Sequence, residues 1–152
     1  MILWRFSQDD SLDGRGGLLA SARWHTRGQE ILYCATNPAT AVLEILVHSQ
    51  IRDPSAVGAH RFIKIFVPDD VSRQNVDEAQ LPADWLRQPI VTRAWGDRWL
   101  RERESALLIV RSAVVPETYS VLINPRQPEA ARIQRTAVLP YPLDARLAGA
   151  QT

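Results

Sequence analysis

The sequence predicts a single α+β domain, residues 1–152, with short mixed or antiparallel strands flanked by helices. Three observations lead there. At 152 residues and 45% hydrophobic content, the chain can bury one real core. Six or so short β-branched or aromatic runs are interspersed with two or three helical patterns. Their order does not repeat strand–helix–strand, which disfavours a doubly wound parallel sheet.

Taken in order, "ILWRF" (residues 2–6) reads as the first strand, with Arg5 inside it. The following "SQDDSLDGRGGLLAS" is rich in Asp, Ser and Gly and reads as a mobile loop. A second strand is expected at 30–35, "EILYCA". Asn37 then suits a helix cap and Pro38 its first turn, and "ATAVLEILVHS" continues the helix. On it Glu44 shares a face with Thr40, Ala41, Val47 and His48, beside an apolar stripe of Leu43, Leu46 and Val47. Residues 59–67 alternate as a strand, with Ile63, Ile65 and Val67 on one face and Phe62, Lys64 and Phe66 on the other. Residues 68–85 read as polar connection. A helix over 91–103 places Val91, Trp95 and Trp99 on a core face and sets Asp97 to pair with Arg101. Strands follow at 106–110, 120–124 and 135–139, and a flexible tail from about residue 148 is expected.

Composition excludes several function classes. Eighteen basic against 17 acidic residues give a net charge of +1, so no overall field marks a nucleic-acid or membrane binder. Lys64 is the only lysine among them; arginine matches planar phosphate and carboxylate groups better. The single Cys34 rules out an internal disulfide framework and reads as buried filler. His25, His48 and His60 lack ligand spacing, so no metal site is expected. "MILWRFSQDD" lacks the pattern of a signal peptide, and no run reaches the length of a membrane span. A cytoplasmic location is expected.

Arg23, Tyr33 and Glu44 stand out as polar groups within apolar surroundings, where desolvation must be offset by partners. Ser112, after the apolar run "ALLIV", belongs with them. On residue types alone two readings are open. Arg23 and Glu44 form a buried structural ion pair with Tyr33 filling core, or the three line a cleft.

A wider pattern runs through Gly14, Gly16, Arg23, Trp24, Gly28, Tyr33, Ala41, Leu43, Glu44 and His48. "WGDRWL" (95–100), "ALLIVRSAVVP" (106–116), "LINP" (122–125) and "LDARL" (143–147) follow it in order. Together these positions resemble the RES domain, the toxin half of RES–Xre toxin–antitoxin pairs. His25 stands where the family usually has Asn, Arg111 where it has Pro, and Gln127 where it has His.

The resemblance implies a fold similar to ADP-ribosyltransferases, around an NAD cleft. It implies NAD+ as substrate, with cleavage of the nicotinamide–ribose bond by hydrolysis or phosphorolysis and consequent growth arrest. Catalytic roles carry over to Glu44, Arg23 and Tyr33. Substrate contacts carry over to Arg23, Tyr33, Ser112, Arg5, Asn124 and Trp24. It also implies an Xre-type helix-turn-helix antitoxin that occludes the cleft in a hetero-oligomer and leaves DNA binding to itself. Two other readings remain, an ADP-ribosyltransferase acting on a protein and a non-catalytic binding module.

Overall fold

The computed structural model describes residues 1–48, 58–140 and 144–148. Among the described residues seven strands form one sheet: β1 (Ile2–Ser7), β2 (Leu32–Ala35), β3 (Arg61–Phe66), β4 (Arg73–Asn75), β5 (Leu107–Arg111), β6 (Tyr119–Ile123) and β7 (Gln134–Pro140). The order is β4-β5-β6-β2-β1-β3-β7, and only β4 and β5 run parallel. Among the described residues three α-helices accompany it: α1 (Gly16–Leu19), α2 (Pro38–His48) and α3 (Pro89–Glu102). This is the expected α+β architecture. None of these helices is long and apolar enough to cross a membrane. The expected tail at 148–152 lies outside the described residues except for the backbone of Ala148.

Strand alternation distributes side chains to two faces, as period 2 requires. Leu3, Ile63, Ile65, Leu107, Val121 and Ile123 pack into one cluster. On the other face Leu108, Val110 and Leu122 meet Trp24, Trp85 and Trp99. A third cluster, Phe6, Ala35, Ala41 and Val42, seats α2 on β1 and β2. Trp99 lies in the core as expected, with its indole N–H donated to Ser105 Oγ at 2.9 Å. Cys34 is buried, and burial pushes its thiol up to about 12, so it is inert filler.

Four sequence expectations are revised. The polar 68–85 segment contains β4, whose backbone pairs with β5 without an apolar pattern to announce it. The Gly-rich loop contains α1, a single turn. On α2, Leu43 and Val47 face outward, Val47 being 55% exposed. The helix docks instead through Ala41 and Val42, with Ile45 and Leu46 partly buried beside them. Asp97 spends its carboxylate across the fold: it accepts from the Thr26 backbone N–H at 2.8 Å, from Thr26 Oγ1 at 2.7 Å and from Gln29 Nε2. Arg101 lies outside this network.

These contacts let α3 clamp the chain between β1 and β2. Thr92 Oγ1 donates to the Arg23 carbonyl at 2.6 Å and Arg93 Nε to the Ala22 carbonyl at 2.7 Å. Residues 22–29 are therefore fixed from α3, and they carry Arg23, Trp24 and His25 toward β2.

Candidate active site

β1 and β2 are joined antiparallel at one registered pair, Trp4 opposite Ala35. A cleft of about 280 Å³ lies beside this junction. Arg5 enters from β1, Tyr33 from β2, Glu44 and His48 from α2, Ser120 from β6, and Gly16 and Gly17 from α1. Three central strands and two helices thus converge on a single space.

Glu44 is the best-anchored group. Its Oε1 accepts from Ser112 Oγ at 2.7 Å and from Ser120 Oγ at 3.4 Å. Its Oε2 lies 2.9 Å from His48 Nε2, one helical turn away. Ser112 is itself held: its Oγ accepts the backbone N–H groups of Val114 at 3.1 Å and Val115 at 2.9 Å. Both acceptor positions of that hydroxyl are filled, so its one proton points to Glu44. Burial works to raise the Glu44 pKa, but the hydrogen bonds from His48 and Ser112 outweigh it. The carboxyl is held below the usual range and is ionised at neutral pH. A depressed folded-state pKa adds stability above the unfolded value, lost as pH falls through the folded one.

Tyr33 lies opposite in chemical character. Its Oη accepts the Trp24 N–H at 3.2 Å and lies 2.9 Å from His25 Nδ1. Burial pushes the phenol far above its ordinary value, so it stays neutral. Arg5 lines the cleft, with Nη1 donated to the carbonyls of Asp9 at 2.8 Å and Ser11 at 3.2 Å.

The remaining expected residues lie elsewhere. Arg23 does not line the cleft; its Nη1 donates to the Leu86 carbonyl at 2.9 Å. Among the described residues Glu44 is hydrogen-bonded to His48 and is not paired with Arg23. The Trp24 ring is 3% exposed and packs on Trp85, with centroids 5.8 Å apart. Asn124 is buried, donating to the Leu100 carbonyl at 3.0 Å and accepting the Arg126 N–H at 3.1 Å. It braces the turn after β6. Among the described residues no group of three or more His, Cys, Asp and Glu could hold a metal ion.

His48, Ser120, His25 and Gly17 were not picked out as site residues from sequence. His48 had a signal, since it lies four residues after Glu44 on the same face. Ser120 opens an apolar strand but becomes a Glu44 donor only through the pairing of β6 with β2.

The RES domain family model matches residues 2–144. The chain belongs to the RES domain family. It is 45% identical over 139 residues to "Toxin Res" of Pseudomonas putida, covering 88% of this chain and 92% of that one. It is 33% identical over 155 residues to "Prs ADP-ribosylating toxin" of a Sphingobium species, covering 95% and 94%. In fold it is similar to a chain of the M. tuberculosis MbcT–MbcA toxin–antitoxin complex. The TM-score there is 0.71 at 16% identity, over 97% of this chain and 86% of that one. The fold class read from the sequence is that of this neighbour.

Proposed function

We propose that this RES-family toxin cleaves the nicotinamide–ribose bond of NAD+ and so arrests growth in the cytoplasm, with water or phosphate as acceptor. The observation that carries the reading is the ionised Glu44 held by Ser112, Ser120 and His48 in a cleft of about 280 Å³. Nicotinamide in NAD+ is already cationic and departs neutral, so its leaving needs no proton. A second catalytic carboxyl acting as general acid is therefore unnecessary. What the reaction demands is a fixed negative charge beside an oxocarbenium-like ribose.

A carboxylate has about four acceptor positions, and the described partners of Glu44 occupy three. The remaining position is on Oε2, and it suits the ribose 2′-hydroxyl. The cleft volume sits near the low end of the roughly 300–1,000 Å³ typical of ligand sites. It fits the nicotinamide–ribose end, with the remainder of the dinucleotide along the mouth. Arg5, on the cleft wall, would meet the diphosphate through the donors not given to Asp9 and Ser11. In this scheme Arg23 ties the Trp24 segment to the Leu86 carbonyl, and Ser112, Trp24 and Asn124 support the walls without touching substrate.

A second reading has a specific observation behind it: one relative's name is "Prs ADP-ribosylating toxin". The same bond would break, with a macromolecule as acceptor. The non-catalytic reading loses its premise, since Glu44 is not paired with Arg23 among the described residues. An Xre-type antitoxin is proposed as the partner, its C-terminal segment entering the cleft. Exposed Leu19 and Val47, on the two helices that supply cleft walls, suit such a contact.

Purified protein incubated with NAD+ should release nicotinamide, and the antitoxin complex should not. Labelled adenine appearing on a protein acceptor would favour the second reading. No nicotinamide release from folded, antitoxin-free protein would overturn both.

Ser112→Ala gives a separate expectation. The lost hydrogen bond is one that lowers the Glu44 pKa, so that pKa should rise. If turnover needs ionised Glu44, the acid limb of the pH–rate profile should move to higher pH, with the plateau rate less affected. An acid limb that stays in place would show that Ser112 does not hold the reacting carboxylate.

A further inference from the structure

Two segments singled out in the sequence but unused by the cleft, 95–100 and 122–125, meet where Asn124 Nδ2 donates to the Leu100 carbonyl at 3.0 Å. Beside that contact lies a second hollow of about 500 Å³, which shares no lining residue with the cleft. Four arginines line it from three parts of the chain. Arg27 precedes β2, Arg101 and Arg103 stand at the end of α3, and Arg126 follows β6.

The acids in this hollow are already engaged. Glu30 accepts from Arg126 Nε at 2.9 Å, and Asp97 accepts from Thr26 and Gln29. Among the described residues the guanidinium groups of Arg27, Arg101 and Arg103 have neither an ion pair nor a hydrogen bond. All three residues are exposed. A chain whose net charge is only +1 therefore gathers three uncompensated cations in one concavity.

The end of α3 accounts for part of this, since the carbonyl end of a helix favours Arg101 in its last turn. It does not account for Arg27 or Arg126, which come from other elements. Arg103 is less expected still. Its φ of 55° lies in the left-handed region, where helices commonly end on glycine. Its backbone N–H closes on the Trp99 carbonyl at 3.1 Å, a contact glycine would make with less strain. What arginine adds at that position is a further guanidinium in the hollow.

We propose that this hollow is a second ligand site, for an oligophosphate recognised through its phosphates alone. Planar guanidinium forks match phosphate oxygens two bonds at a time. The volume falls within the roughly 300–1,000 Å³ of small-ligand sites. Leu100 is its one apolar side chain and no aromatic ring lines it, so it offers a base no stacking platform. A ligand bridging Arg27 and Arg103 would tie the segment before β2 to α3 a second time. The proposal does not depend on the NAD+ reading.

Calorimetric titration of the purified chain with pyrophosphate, at fixed near-physiological ionic strength, should show one site. Arg103→Gly should weaken it about tenfold, as for one lost hydrogen bond to a charged group, without lowering the melting temperature. Arg27→Ala should weaken it similarly. Arg98→Ala is the control: it removes the same charge from α3, where Arg98 faces Glu102 and lines a different hollow, and should leave affinity unchanged. Equal losses in Arg98→Ala and Arg103→Gly would show diffuse attraction and overturn the site, as would a wild type that binds no pyrophosphate. ADP carries a diphosphate too and should gain nothing from its base. A tenfold gain over pyrophosphate that Arg103→Gly abolishes would overturn recognition by phosphates alone. Hexaglutamate binding more tightly than pyrophosphate would overturn the phosphate assignment and make the hollow a surface for acidic peptide.

Discussion

Glu44→Gln should lower NAD+ turnover by on the order of 10²–10³ or more, the cost of losing one preorganised transition-state contact. The substitution keeps the shape and one carbonyl oxygen, so Ser112 can still donate. What it removes is the charge that opposes the oxocarbenium. Affinity for NAD+ should weaken far less, since the lost interaction matters mainly in the transition state. Stability separates this from a structural role. Breaking a buried ion pair costs about 3–5 kcal/mol. Here the Glu44 side chain is 19% exposed and the partner His48 is 48% exposed. A pair so placed is partly screened, so the loss should be about 1 kcal/mol, or roughly 2–4 °C in melting temperature. Thermal melting, turnover and NAD+ binding on the same two proteins test all three statements. A folded variant that binds NAD+ and turns it over near the wild-type rate would remove Glu44 from its assigned role.

The residues that were legible in the sequence share a physical reason. Glu44 and Tyr33 were conspicuous because a polar group in an apolar run must find a partner or a cleft. β3 was legible because Ile63, Ile65 and Val67 alternate with Phe62, Lys64 and Phe66, and both sets take the expected faces. β4 was not, because Arg73–Asn75 is polar and owes its strand to backbone pairing with β5. The Leu43–Val47 stripe misled for a related reason. Helical spacing shows that a stripe exists, and docking against β1 and β2 decides which stripe is buried. His25 and Gly17 carry no local signal at all. Their place in the cleft follows from residues 22–29 being held by α3, more than sixty residues away, with the Gly28 N–H donated to the Gly17 carbonyl of α1.

The same clamp makes Gly96→Ala the substitution expected to cost most in stability. Gly96 lies inside α3, and a β-carbon there would stand 1.8 Å from the Trp24 carbonyl oxygen and 2.8 Å from its carbonyl carbon. Those are backbone atoms, and no rotamer change can clear them. Helix propensity favours alanine by about 1 kcal/mol. The clash works against a segment tied to α3 on both sides of Trp24, at Ala22, Arg23 and Thr26. Either α3 moves away or those hydrogen bonds stretch together. Overpacking usually costs about 1–3 kcal/mol, and a backbone-to-backbone clash belongs at or above the top of that range. A net loss of about 3 kcal/mol corresponds to a fall of roughly 6–12 °C in melting temperature for a chain of this size. Gly16→Ala is the matching control: nothing lies within 4 Å of its β-carbon and its φ is not positive, so its melting temperature should stay near that of the wild type. Trp24 donates to Tyr33, so the surviving folded fraction of Gly96→Ala should also lose turnover. A Gly96→Ala protein melting within about 2 °C of the wild type would mean that α3 does not clamp the Trp24 segment as described.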